Sequence, residues 1–117
     1  MVDAANAFNS LNRSSALHNI RHLCPELATI IINCYREPVD LFVGGTTLLS
    51  QEGTTQGDPL AMPFYALATI PLIKTLSSHN DIRQVWYADD SAALGKISKV
   101  HQWWDALNSL VLHLDIL

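Results

Sequence analysis

Apolar positions along this chain follow two rhythms, one of three and four residues and one of two, and the switches between them mark the elements. Between Ser14 and Leu23, Leu17, Ile20 and Leu23 recur at helical spacing, with Ser14 or Ser15 placed to cap the start. A second helix is predicted from Pro25, a first-turn proline followed by Glu26, to about Tyr35, and Pro38 ends it. Val39 to Ser50 reads instead as two short strands, over 40–43 and 46–49, turned by Gly44-Gly45, because both glycines can take positive φ. Asp58 before Pro59 signals a helix start, and the helix running to about Ser77 is apolar on most sides, hence buried, with Pro71 expected to bend it. Ile97, Val100, Trp104, Leu107, Val111 and Leu114 return to the three-and-four spacing and predict an amphipathic helix from about Ile97 to His113.

Between the last two helices the β-prone run Val85-Trp86-Tyr87 leads through Ala88 into Asp89-Asp90, and Ala92-Ala93-Leu94 carries the chain away to Gly95. This pattern predicts a hairpin with an acidic tip. Two carboxylates about 4 Å apart repel by roughly 4 kcal/mol at an effective dielectric near 20. A cation is the natural relief, and Mg²⁺ is the one that works beside substrate phosphates. The plain alternative is a solvated turn, since Asp is a common turn former.

Composition narrows the class. At 117 residues and 49% apolar content the chain can build one globular core. The longest apolar stretch, Leu60 to Ile73, is too short for a membrane span and is interrupted by Pro63 and Pro71. No leader pattern follows Met1, and Cys24 and Cys34 lack a Cys-x-x-Cys arrangement, so reduced thiols in an intracellular protein are expected, with nucleus and cytoplasm indistinguishable. The net charge of −4 makes the chain as a whole no attractor of polyanions. His18 and His22 stand four apart near Cys24, a spacing that suits a metal, but the Glu of a zinc-protease signature is missing, no third ligand is evident, and a plain polar helix face is the preferred reading. Trp103 and Trp104 are read as core and rim packing in preference to a base-stacking platform.

Three features ask for a common cause: Asp3 ahead of Phe8, the loop Glu52-Gly53-Thr54-Thr55-Gln56-Gly57 before Asp58-Pro59, and Tyr87-Ala88-Asp89-Asp90. Crowding a third acid beside two others is rewarded in two-metal phosphoryl transfer. In order and separation these stretches resemble the A, B and C motifs of reverse transcriptases, and Asn6-Ala7-Phe8-Asn9-Ser10 is similar to enzymes of eukaryotic retrotransposons without long terminal repeats. The resemblance spans essentially the whole chain. It implies an α+β fold, a polymerase palm-like antiparallel sheet carrying the acids on one side and helices on the other, with residues 1–117 forming a partial palm domain whose fingers and thumb lie outside it.

Residue by residue, the resemblance makes Asp3 and Asp89 the main ligands of two Mg²⁺ ions, with Mn²⁺ as a substitute. Asp90 is a supporting ligand and the Ala4 carbonyl a further one. Phe8 would lie under the sugar and exclude a 2′-hydroxyl, although a purely structural Phe would be buried. Gln56 and Gly57 would line the incoming-nucleotide pocket, and Tyr87 and Ala88 would approach the primer end. Arg13 matches a frequent family position that serves either substrate or an ion pair within the fold. The implied partners are an RNA template, a DNA primer and deoxynucleoside triphosphates. With Asp3 supported only by Met1-Val2, the isolated chain is expected to be inactive, because a misplacement of about 1 Å can cost about a hundredfold in rate. The rivals are an RNA-dependent RNA polymerase palm, which Phe8 and Tyr87-Ala88 argue against, and a decayed retroelement remnant with a structural or binding role.

Overall fold

The structure, a computed structural model, describes residues 1–55, 57–78 and 81–114. Its fold is mixed α+β, with helices α1 (Ala7–Ser10), α2 (Arg13–Leu23), α3 (Pro25–Tyr35), α4 (Ala61–Leu76) and α5 (Ile97–Leu114) and strands β1 (Val2–Asp3), β2 (Val39–Val43), β3 (Thr46–Ser50), β4 (Arg83–Tyr87) and β5 (Asp90–Leu94). The strands form two separate antiparallel sheets, β1-β5-β4 and β2-β3. Among the described residues no helix is long and apolar enough to cross a membrane.

Helices begin and end where local chemistry directs them. Asn12, not Ser14 or Ser15, caps α2: its side chain accepts the Ser15 N–H at 3.0 Å. Pro25 opens α3 as expected, and that helix ends at Tyr35. Asp58 does not cap α4 directly. It accepts the Leu60 N–H at 2.8 Å on Oδ1 and the Ala61 N–H at 3.0 Å on its carbonyl, closing a turn around Pro59, so α4 begins at Ala61 and continues through Pro71.

The core is helical. Phe64, Ala68, Leu72 and Leu76 of α4 are almost completely buried against Leu17 and Ile20 of α2, Ile31 of α3, and Trp103 and Leu107 of α5. The buried edge of α5 centres on Trp103 at 2% exposure, whereas Trp104, which the spacing placed inside, is 42% exposed and Ile97 is 89% exposed. A specific polar anchor rotates the helix this way: the Trp103 indole N–H donates to Gln84 Oε1 at 2.9 Å, and its ring meets Trp86 at 6.2 Å. Gln84 in turn donates to the Ile73 carbonyl at 3.1 Å and to Ser77 Oγ at 2.6 Å, so one side chain ties β4 to both α4 and α5. The side chain of Leu114, assigned to the same apolar face, lies outside the described residues.

The register of the three-stranded sheet sorts its residues by face. Val2, Ser91 and Trp86 form one cross-strand row and Asp3, Asp90 and Tyr87 the next. Successive side chains on a strand point to opposite faces. The first row accordingly lies against the helices, with Ser91 buried and Val2 and Trp86 half-buried, while Asp3, Asp90 and Tyr87 are exposed.

Candidate active site

The acidic tip is a two-residue turn, Ala88-Asp89, between Tyr87 and its ladder partner Asp90. Ala88 takes φ +53, a left-handed conformation that suits the twist of such turns but is costly for a residue with a Cβ. Across the ladder Asp3 is the register partner of Asp90, and the Ala4 N–H donates to the Asp89 carbonyl at 3.4 Å. The fold thus brings the first acidic position and both acids of the tip to one corner of the sheet. Asp3 and Asp90 share its outer face, and Asp89 lines a cleft on the helix side.

Among the described residues none of these carboxylates has an ion-pair partner. Nor is any group of three or more His, Cys, Asp and Glu side chains gathered to hold a metal ion. The donor set is nevertheless all oxygen, the chemistry that Mg²⁺ prefers. The Ala4 carbonyl already accepts the Ala7 N–H at 3.3 Å, which leaves it a second lone pair.

Phe8 sits on α1 and stacks on Tyr65 of α4, ring centroids 4.5 Å apart. It is half-buried, intermediate between a core residue and a surface platform. Its carbonyl accepts the Thr54 N–H at 2.7 Å, and the Gly53 N–H donates to the Leu11 carbonyl at 2.8 Å, so the segment after β3 lies directly on α1. At Gly53, φ is +70 and an added Cβ would fall 2.3 Å from the Asn9 carbonyl oxygen. Glycine is therefore required twice over, by conformation and by contact. Gly57 takes φ +88 with open space around its Cα, while Gln56 lies outside the described residues.

Arg13 is not an exposed substrate-facing group. It is 6% exposed, and its guanidinium donates from Nε to the Gly53 carbonyl at 2.6 Å, from Nη1 to the Ser50 carbonyl at 2.9 Å and from Nη2 to Ser50 Oγ at 2.7 Å. Its own N–H donates to Glu52 at 3.0 Å, and it lies 5.4 Å over the Tyr35 ring. Burial lowers its pKa against the opposing pull of Glu52, yet an arginine remains charged. The Tyr35 hydroxyl donates to Asp58, a bond that holds the Asp58 carboxyl below its usual range, while burial and then that same bond push Tyr35 up to about 12. Of the two roles open to Arg13, the structure supports a fold-internal one made through carbonyls, with Glu52 as a minor partner.

Two residues that pattern reading passed over complete the corner. Tyr65, between Phe8 and Asp89, has its hydroxyl pushed up to about 12 by burial and then by the Asp89 charge. Trp86 lines the same cleft, a space of about 350 Å³ bounded also by Leu72, Thr69 and Leu107, and its buried indole N–H has no acceptor among the described residues, at a cost of about 1–3 kcal/mol. A lone tyrosine in an otherwise apolar helix was the available signal for the first. His18 and His22 meet edge to face at 5.0 Å, a contact within one helix. Comparison with protein-family models and with curated proteins finds no match to this chain.

Proposed function

We propose that the chain is a partial palm of a reverse-transcriptase-type polymerase, which in the complete enzyme transfers nucleotides from deoxynucleoside triphosphates to a primer 3′-hydroxyl along an RNA template. The observation that supports this most is the β1–β5 register, which sets Asp3 opposite Asp90 with Asp89 in the adjoining turn. A cross-strand pair of uncompensated like charges is destabilising on its own. Asp3, Asp89 and Asp90 would hold the divalent ions, assisted by the Ala4 carbonyl. Bound there, such ions lower the pKa of the primer hydroxyl and neutralise triphosphate charge.

The chain's own residues supply position. Phe8, half-buried and braced by stacking on Tyr65 and by the bond from Thr54 to its carbonyl, would take the sugar-sensing role. Gly57 lacks a side chain, so a nucleotide can approach its backbone closely. Tyr87 is 77% exposed on the face that carries Asp3 and Asp90, where a primer end would lie. A second reading, a fold kept for binding without catalysis, is favoured by one observation: the three acids are not gathered around a single point among the described residues.

Manganese titration followed by electron paramagnetic resonance separates the two. The catalytic reading expects Mn²⁺ binding that weakens by about tenfold or more in Asp3→Asn and in Asp89→Asn. Asp40→Asn, an exposed acid in β2, should leave it unchanged. Absent binding, or binding indifferent to Asp3 and Asp89, overturns the catalytic reading.

A further inference from the structure

Arg13, Arg21 and Arg36 make up three of the seven Lys and Arg residues of this acidic chain, and all three line one cleft of about 370 Å³ between α2, the end of α3 and the segment after β3. On α2, Arg13 and Arg21 are two steps of four residues apart, and Ser14 and His18 lie on the same flank, so one helix face supplies most of the wall. Arg36 and Gln51 also line it. The single acid of the lining, Glu52, is engaged by the Arg13 backbone N–H. Arg36 also meets Glu37 at 3.5 Å, but both side chains are well exposed, and such pairs contribute little.

The charges differ in kind. Arg13 is buried and spends its side-chain donors on neutral oxygens of Ser50 and Gly53, so its positive charge is fixed in place and offset in part by Glu52. Arg21 and Arg36 are exposed, Arg36 held only by its surface pair with Glu37, and their planar forks can turn toward a ligand. A fixed cation and two adaptable ones in one cleft, with the neutral groups of Ser14, His18 and Gln51 in the same lining, suit an extended anion with charges spaced along it.

We propose that this cleft binds the phosphodiester backbone of a single nucleic-acid strand. The choice of a strand over an acidic peptide rests on the polymerase reading above. Binding is local, because the chain's net charge of −4 disfavours indiscriminate attraction to polyanions.

The test is fluorescence anisotropy of a labelled single-stranded oligoribonucleotide with the 117-residue chain in EDTA at low salt. Binding is expected, with the logarithm of affinity falling linearly against the logarithm of salt concentration. An Arg21→Ala/Arg36→Ala double variant, whose fold circular dichroism checks, should bind more weakly, its salt slope shallower by about 1.4 for two lost single-strand phosphate contacts. Lys96→Ala/Lys99→Ala removes the same charge elsewhere and should bind as the parent does. No binding, an unchanged slope in the arginine double variant, or an equal loss in the lysine pair overturns the proposal. Displacement by polyglutamate at the same charge concentration as by oligonucleotide overturns the phosphodiester assignment. Omitting metal keeps the two claims apart: oligonucleotide binding without Mn²⁺ binding sinks the polymerase palm alone, and Mn²⁺ binding without oligonucleotide binding sinks the cleft alone.

Discussion

The molecule contains two hairpins of the same build, each with two five-residue strands and a two-residue turn, and they stand in opposite environments. In β4–β5 one face is sealed by Trp86 against Trp103 and by Gln84, which bridges to α4 and α5. In β2–β3 neither face is covered: Phe42 is 81% exposed, and Leu41 and Leu48, on alternate positions, are 43% and 54% exposed. The second hairpin is held at its root, where Arg13 grips Ser50. Its projection fits a radius of gyration of 15.7 Å, above the about 13 Å of a compact domain this size. Pairing and turn chemistry alone do not decide where a hairpin belongs. What decides it is whether side chains on one face find a wall, and the hairpin carrying the acids has one.

The sharpest way to break this contrast is to remove the wall. Trp103→Ala deletes the largest fully buried side chain and the hydrogen bond to Gln84, and should destabilise the chain by about 3–5 kcal/mol in urea denaturation, releasing β4–β5 from the helices. A loss near zero would mean that the acidic hairpin is held no better than its exposed counterpart.

A smaller effect is expected at the root of β2–β3. Because the Tyr35 hydroxyl depresses the Asp58 pKa, its contribution is present above the usual carboxylate value and is lost as pH falls through the depressed one. Tyr35→Phe should therefore cost about 1 kcal/mol at neutral pH, at the low end for a charged acceptor because the carboxylate is partly exposed. The gap between parent and variant should close in acid, and denaturation curves from about pH 7 down to about pH 3 check it. A constant gap across that range would assign the loss to packing over Arg13.

The smallest effect belongs to the hairpin's own surface. Phe42→Ser should change stability by no more than about 0.5 kcal/mol, measured by the same denaturation, because that side chain buries almost nothing. A loss well above 1 kcal/mol would make the two hairpins more alike than their exposure says.

Local chemistry was readable wherever the deciding partner lay within a few residues. Gly44-Gly45 announced a turn in which both take positive φ, Pro25 announced the start of α3, and the Val85 to Leu94 pattern announced the acidic hairpin. Reading failed where the partner was remote. Reading the tryptophans as core and rim packing agrees with their burial, but the helical spacing put Trp104 on the apolar face, whereas it is Trp103 that turns inward and donates to Gln84, a relation that periodicity does not contain. The role of Arg13 depends on carbonyls at Ser50 and Gly53, which no residue type advertises. The basic cleft was invisible for the same reason: positions 13, 21 and 36 form no run in the sequence and meet only when α3 folds back on α2. For the acids, order along the chain suggested an association, and the β1–β5 register gives Asp3 and Asp90 a shared face with Asp89 in the adjoining turn, where it lines the helix-side cleft.

Three of the four glycines with left-handed backbones among the described residues differ in how freely this chain could diverge at each. Gly44 and Gly45 have empty space beyond their α-carbons, so asparagine, which tolerates that conformation, is a plausible descendant at either. Gly53 has the Asn9 peptide where a methyl would go, so even alanine there would pry α1 from the strand-to-helix connection. Lineages of this protein can vary the tip of the projecting hairpin at little cost, while that one bare carbon must be inherited unchanged.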